Sequence, residues 1–172
     1  MSAVVLVEGA SDRVALETLA RRRERDLAAE GVSIVAIGGA QAVGRFLDDL
    51  GGANLTIAGL CDAGEEQEFR RAFERAGLDP LSVCVCVADL EAELIRALGA
   101  PAVEDVLEAN GDLGSFRTLQ KQPVWRDRPV EDQLRRFMGS VARRKVRYAA
   151  LLVEALDVDA VPRPLHAVLA LV

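Results

Sequence analysis

The chain has 172 residues, 51 % of them apolar, which is enough for one domain with a packed core and a small appendage. No apolar run reaches membrane-spanning length, and the first residues lack a charged segment followed by a long apolar one, so a cytoplasmic protein without membrane contact is expected. The single histidine, His166, excludes a His-pair metal site and reads as structural; Cys61, Cys84 and Cys86 read as small buried hydrophobes in a reducing compartment.

The net charge of −6 hides an asymmetry. From Arg117 to Tyr148 there are ten bases (Arg117, Lys121, Arg126, Arg128, Arg135, Arg136, Arg143, Arg144, Lys145 and Arg147) against three acids, which leaves that segment at +7 and the remainder at −13. An acidic, metal-binding half beside a basic half that could hold a polyanion is one reading, and a solvated helical face is the other.

In chain order, the apolar run Ala3–Val7 predicts a buried strand that stops on Glu8 and turns at Gly9. A helix is expected from Ser11 to about Ala29, with Ser11 or Asp12 as its N-cap and Val14, Leu16, Leu19 and Leu27 among its apolar positions. A second strand, Val32–Ile37, ends in Gly38-Gly39, a weak phosphate-loop signal that a tight turn explains as well. A short helix over about Ala42–Leu50 precedes a third strand, Leu55–Cys61, which runs into Asp62. A helix over about Glu65–Ala76 closes at Gly77, and a fourth strand is expected over Ser82–Val87. Asp89, Glu91 and Glu93 follow; they would share one face of a strand but would not converge on a helix. After Pro101 the strands cease, and Val103–Ala109, Phe116–Gln120, Asp132–Met138 and Val141–Leu156 read as helices. The apolar stretch Pro164–Val172 could cover the core or form a homodimer contact.

Strands alternating with helices predict an α/β fold, Rossmann-like, with a mainly parallel sheet flanked by helices and a helical C-terminal extension. The expected division is a core over 1–101 and an extension over 102–172 packed on it. In such sheets the site lies beyond the carboxyl ends of the strands, where Glu8, Gly38-Gly39, Asp62 and the acids after strand four all fall. Glu8 and Asp12 are one helical turn apart, and Asp62 joins them if strands one and three are neighbours. Clustered carboxylates suit Mg²⁺ or Mn²⁺ and, in pairs of metals, phosphodiester hydrolysis. Lys145 is the candidate cation for the developing phosphorane charge. Arg126, Arg128, Arg135 and Arg136 are candidate phosphate contacts, blind to sequence and sensitive to salt. Trp125 and Tyr148 could stack on bases or belong to the core. No G-x-x-x-x-G-K-[ST] stretch is present, so a nucleotide energy source would have to come from another chain.

Glu8-Gly9-Ala10-Ser11-Asp12 followed by Asp62-Ala63-Gly64-Glu65-Glu66 resembles a Toprim domain, the metal-binding fold of topoisomerases, bacterial primases and overcoming-lysogenization-defect (OLD) nucleases. Asp89-Leu90-Glu91-Ala92-Glu93-Leu94 resembles the acidic third motif of the OLD branch, and Arg144-Lys145-Val146-Arg147-Tyr148-Ala149 its late lysine motif. The resemblance implies a two-metal DNA endonuclease. Glu8, Asp12 and Asp62 would be ligands, Glu65, Glu91 and Glu93 further candidates, and Glu8 and Lys145 the catalytic pair; Arg143, Arg144 and Arg147 would extend the nucleic-acid surface. Two departures stand out: Gly64 replaces the second acid of the Toprim Asp-x-Asp, with Glu65 the nearest substitute, and no ATPase domain precedes the motif. The expectation is therefore a standalone nuclease, or the nuclease half of a system with a separate ATPase chain. The alternative is a weak or inactive module that binds nucleic acid or that ATPase. Nucleotidyl transfer, as in primases, ranks last, since nothing resembles a templating domain.

Overall fold

A computed structural model describes residues 3–50 and 55–172. Its sheet has four strands, β1 (Ala3–Val7), β2 (Val32–Ala36), β3 (Thr56–Asp62) and β4 (Val83–Cys86), all parallel in the order β2-β1-β3-β4. Val7 stands beside Ala36 on one side and Leu60 on the other, and Asp62 stands beside Cys86. The ends of β1, β3 and β4 therefore open onto one edge of the sheet, and β1 and β3 are direct neighbours.

Alternation along β1 sorts the core into two layers. Ala3, Val5 and Val7 join one cluster with Ala15, Leu16 and Leu19 of α1 (Ala10–Arg22), while Val4 and Leu6 join a smaller one. That smaller layer is formed by α2 (Val43–Asp49) and α3 (Glu66–Arg75), whose Phe69 and Phe73 lie against β3. Close approach of α3 needs Gly59: a Cβ there would stand 3.2 Å from Phe69 and 3.3 Å from Phe73.

The larger layer holds α4 (Leu90–Leu98), α5 (Ala100–Ala109), α6 (Leu113–Gln120), α7 (Val130–Gly139), α8 (Ala142–Ala155) and α9 (Arg163–Ala170). Val103, Leu107, Phe116, Leu134, Phe137, Leu152 and Leu165 share one apolar cluster with the sheet and α1, so the helices after Pro101 pack on the sheet through continuous core. Among the described residues no helix is long and apolar enough to cross a membrane.

Several boundaries differ from the sequence expectation, some through contacts distant in sequence and some through local capping. The first helix stops at Arg22, seven residues short of Ala29, and Glu24 takes φ 57°. Two arginines hold that turn against the end of the chain. Arg22 donates to the carbonyls of Val153 and Leu156, and Arg25 to those of Leu169 and Val172. Gly9, not Ser11 or Asp12, is the N-cap of α1, and Asp12 reaches back to it from the third helical position. The segment after β4 is helical, with Asp89 as N-cap accepting from Ala92 N at 2.8 Å. The apolar stretch at the C-terminus forms α9, whose Leu165, Val168 and Leu169 are buried in the protein's own core. The three cysteines are free, and burial pushes the Cys61 thiol up to about 12.

Candidate metal centre

Glu8 follows the last residue of β1, and its backbone is fixed by the neighbouring turn. Gly38 N and Gly39 N both donate to the Glu8 carbonyl, at 3.0 and 3.1 Å. Those glycines sit at φ 78° and 116°, which side chains rarely adopt, and the tight turn they form anchors Glu8. Its side chain is partly exposed, but Oε1 is buried without a hydrogen-bond partner. Burial, then Glu65, then Asp12 push the Glu8 carboxyl up to about 7 against the pull of Lys145.

Asp12 is buried, and its Oδ2 accepts from Gly9 N at 2.9 Å, a bond that sets the direction of the carboxylate. Burial raises its pKa more than the Gly9 bond and Lys145 lower it. Asp62 ends β3 beside β1. Burial raises it to about 7, helped by Asp12, Glu8 and Asp89. Mutual influence of this kind places Glu8, Asp12, Asp62, Asp89 and Lys145 in one electrostatic neighbourhood.

Of the acids on the fourth segment, Glu91 belongs to this crevice. It is 5 % exposed, its Oε1 has no partner, and its Oε2 lies 3.4 Å from Lys145 Nζ on α8. Burial works against the Lys145 charge, yet Glu91, Asp12 and Asp62 outweigh it and raise its pKa. Glu93 is differently employed. It is fully buried, with Oε1 accepting from Val87 N at 2.7 Å and Oε2 bonded by Arg96, so it fastens β4 to α4 and both its oxygens are occupied. Asp89 is likewise engaged, by Ala92 N and by Arg135 Nε at 2.5 Å. Glu65 is partly exposed and near enough to raise Glu8.

Among the described residues no three His, Cys, Asp or Glu side chains stand close enough together, as they are placed, to hold a metal ion. The donor set nevertheless fits a hard divalent cation. Apart from Lys145 the facing groups are carboxylates, burial first and then mutual repulsion raise the pKa values of Glu8 and Asp62, and the two buried side-chain atoms without a partner among the described residues are both carboxylate oxygens of this crevice.

The basic residues divide. Arg126 pairs with Asp127, Arg135 with Asp89, and Arg147 with Asp112 and Asn110. Arg144 lies 4.1 Å over the Phe137 ring and donates to Phe137 O, which makes it part of the packing between α7 and α8. No carboxylate stands within ion-pair distance of Arg128, Arg136 or Arg143 among the described residues. Tyr148 is core, with its hydroxyl donating to Asp112 at 2.7 Å, whereas Trp125 is partly exposed and lines a cleft. Sequence reasoning missed the Arg135–Asp89 bridge and the role of Gln133. That buried side chain donates to Trp125 O at 2.7 Å and Arg128 O at 3.0 Å, and accepts from Gln120. The signal available was a glutamine on the buried face that Leu134, Phe137 and Met138 mark at helical spacing.

Residues 1–63 match the family described as overcoming lysogenization defect protein-like, TOPRIM domain. No curated protein matches the sequence. Among solved structures, the C-terminal region of the Burkholderia pseudomallei OLD protein superimposes with a TM-score of 0.73 at 17 % identity, over 98 % of this chain and 95 % of that one. The C-terminal region of the Xanthomonas campestris pv. campestris OLD protein, phased with platinum, gives 0.72 at 21 % identity, over 98 % and 90 %. The N-terminal third thus matches the Toprim domain of OLD-like proteins, and the described chain has the fold of OLD C-terminal regions.

Proposed function

We propose that this chain is a divalent-metal-dependent nuclease that hydrolyses phosphodiester bonds of DNA. The observation that carries the reading is the pair of buried, unpartnered carboxylate oxygens of Glu8 and Glu91 in a crevice of mutually repelling acids with Lys145 at hand. Glu8, Asp12 and Asp62 would hold Mg²⁺ or Mn²⁺, with Glu65 and Glu91 as further ligands. A cation so held supplies charge for the phosphoryl oxygens and an acidified water as nucleophile. The protein's own groups do the rest. Asp12 is aimed by its bond to Gly9 N, Glu8 by the glycine pair that grips its carbonyl. Glu8 can take a proton from the attacking water, and Lys145 offers a fixed positive charge to the phosphate as negative charge builds. Arg126, Arg128, Arg135, Arg136, Arg143, Arg144 and Arg147 would supply the nucleic-acid surface, and of these Arg128, Arg136 and Arg143 have no carboxylate within ion-pair distance among the described residues. A separate ATPase chain as partner belongs to the same proposal.

Cleavage of supercoiled plasmid by the purified protein in Mn²⁺ or Mg²⁺ tests it, with Glu8→Ala and Lys145→Ala alongside. The expected result is nicking by the wild type that EDTA and either substitution abolish; unchanged cleavage by both variants would refute the assignment. A second reading, a module that binds nucleic acid without turnover, is favoured by Gly64 in place of the second Toprim acid. Metal-independent binding that falls steeply with salt, with no cleavage in either metal, would select it.

A further inference from the structure

On the reading that this chain cuts nucleic acid, we infer that the cleft lined by Trp125, Arg128, Asp132, Arg135, Arg136 and Gly139 receives an unstacked base and phosphate of a single strand flanking the scissile bond. The cleft is open to solvent and has a volume of about 480 Å³, within the about 300–1,000 Å³ of small-ligand sites. Arg135 is engaged by Asp89, which leaves Arg128 and Arg136 against the one acid of the lining, Asp132, so the cleft suits an anion. Its aromatic wall is the chain's one tryptophan, and aromatic faces beside cations bind single strands of any sequence.

The cleft is built in advance. Trp125 and Arg128 sit on a loop that carries no helix or strand of its own, yet the buried Gln133 amide grips the carbonyls of both. The Arg136 guanidinium lies 5.9 Å from the Trp125 ring centroid. Neither Arg128 nor Arg136 has a carboxylate within ion-pair distance among the described residues, so both keep their charge available for phosphates.

The cleft is also joined to the acidic crevice. Arg135 lines it and donates to Asp89 at 2.5 Å, and Asp89 is one of the acids that raise Asp62. A strand whose phosphate lies at the acids would thus pass the Arg135–Asp89 bridge and enter the cleft. A base paired within a duplex cannot offer its face to Trp125, so occupancy selects single-stranded or frayed substrate.

Because Trp125 is the only tryptophan, its emission reports this cleft alone. The protein in EDTA is titrated with an oligo-thymidylate, with thymidine monophosphate and with a blunt duplex, and plasmid cleavage in Mn²⁺ is assayed separately. The expected result is saturable quenching by the oligomer, little by the duplex or the mononucleotide, and a roughly tenfold loss of oligomer affinity in Trp125→Ala, read by the anisotropy of a labelled strand. Cleavage without quenching would overturn the inference and leave the nuclease reading intact. Quenching without cleavage would support the cleft and overturn the nuclease reading. Equal quenching by duplex, or by the mononucleotide at equal concentration, would overturn the assignment to a single strand.

Discussion

Removing one charge from the acidic crevice is expected to stabilise the metal-free protein at alkaline pH. Glu8 rises from an ordinary 4.5 to about 7 and Asp62 from 3.8 to about 7. Between the ordinary carboxylate range and about 7 the folded protein holds protons that the unfolded chain has released, so stability is highest below that window and declines as pH rises through it. At about 1.4 kcal/mol per pH unit, each carboxylate alone would cost up to roughly 4 kcal/mol above the window. Partial exposure, and the repulsion that the two groups share, reduce this to about 1–2 kcal/mol for each. Glu8→Gln keeps the shape and removes the charge, and at about pH 8 in EDTA it should therefore gain about 1–2 kcal/mol, with almost no gain near pH 4. Urea denaturation across that range, for wild type and variant, reads the difference directly. Saturating Mg²⁺ should raise the wild type at alkaline pH and raise Glu8→Gln less, because the charge it would neutralise is already gone. A wild type whose stability is flat across the window, together with a Glu8→Gln variant no more stable than it at alkaline pH, would refute a crevice of buried acids that also repel one another.

Other substitutions separate roles that the geometry assigns to different residues. Lys145→Ala should lower the cleavage rate by about 10²-fold or more, leave substrate affinity nearly unchanged, and destabilise the metal-free fold at neutral pH by leaving Glu91 without its counter-charge; single-turnover kinetics and urea melts check the two effects. Gly64 has nothing within 4 Å of the place its Cβ would occupy, so Gly64→Asp should fold normally and bind Mn²⁺ more tightly, which calorimetry would show. Gly59→Ala should cost about 1–3 kcal/mol by driving a methyl group against Phe69 and Phe73, seen as a lower urea midpoint. Arg143→Ala should weaken nucleic-acid binding and reduce the salt slope by about one without loss of stability, whereas Arg144→Ala should destabilise by about 1–2 kcal/mol through its lost contact with Phe137.

The sheet was legible because a parallel strand buried on both faces must be apolar throughout, and Ala3–Val7 and Ile57–Cys61 are. The larger departures come where local propensity meets a contact distant in sequence. Nothing local ends α1 at Arg22; the reason lies about 130 residues away, in the carbonyl ends of α8 and α9 that Arg22 and Arg25 satisfy. The last helix was hidden for a related reason. Pro162 and Pro164 read as punctuation, but they stand at and just after the N-cap of α9, where a proline costs no hydrogen bond.

At the site, residue type was readable and direction was not. Asp89, Glu91 and Glu93 are equivalent as letters, yet α4 begins immediately after Asp89 and a helix sends its residues in different directions. Asp89 becomes the cap and the partner of Arg135, Glu93 the clasp of β4, and only Glu91 keeps an unpartnered oxygen beside Lys145. The same logic bears on Gly64. Its neighbour Glu65 already raises Glu8 electrostatically, so the crevice carries a negative charge close to the missing acid, and the open space at Gly64 means that the fold does not demand a glycine there. If Glu65 supplies the missing ligand, Glu65→Gln should cost cleavage in the wild type and be rescued by Gly64→Asp in the double variant. If the double variant cleaves no better than Glu65→Gln alone, position 64 has no access to the metal and Glu65 is not a substitute for it.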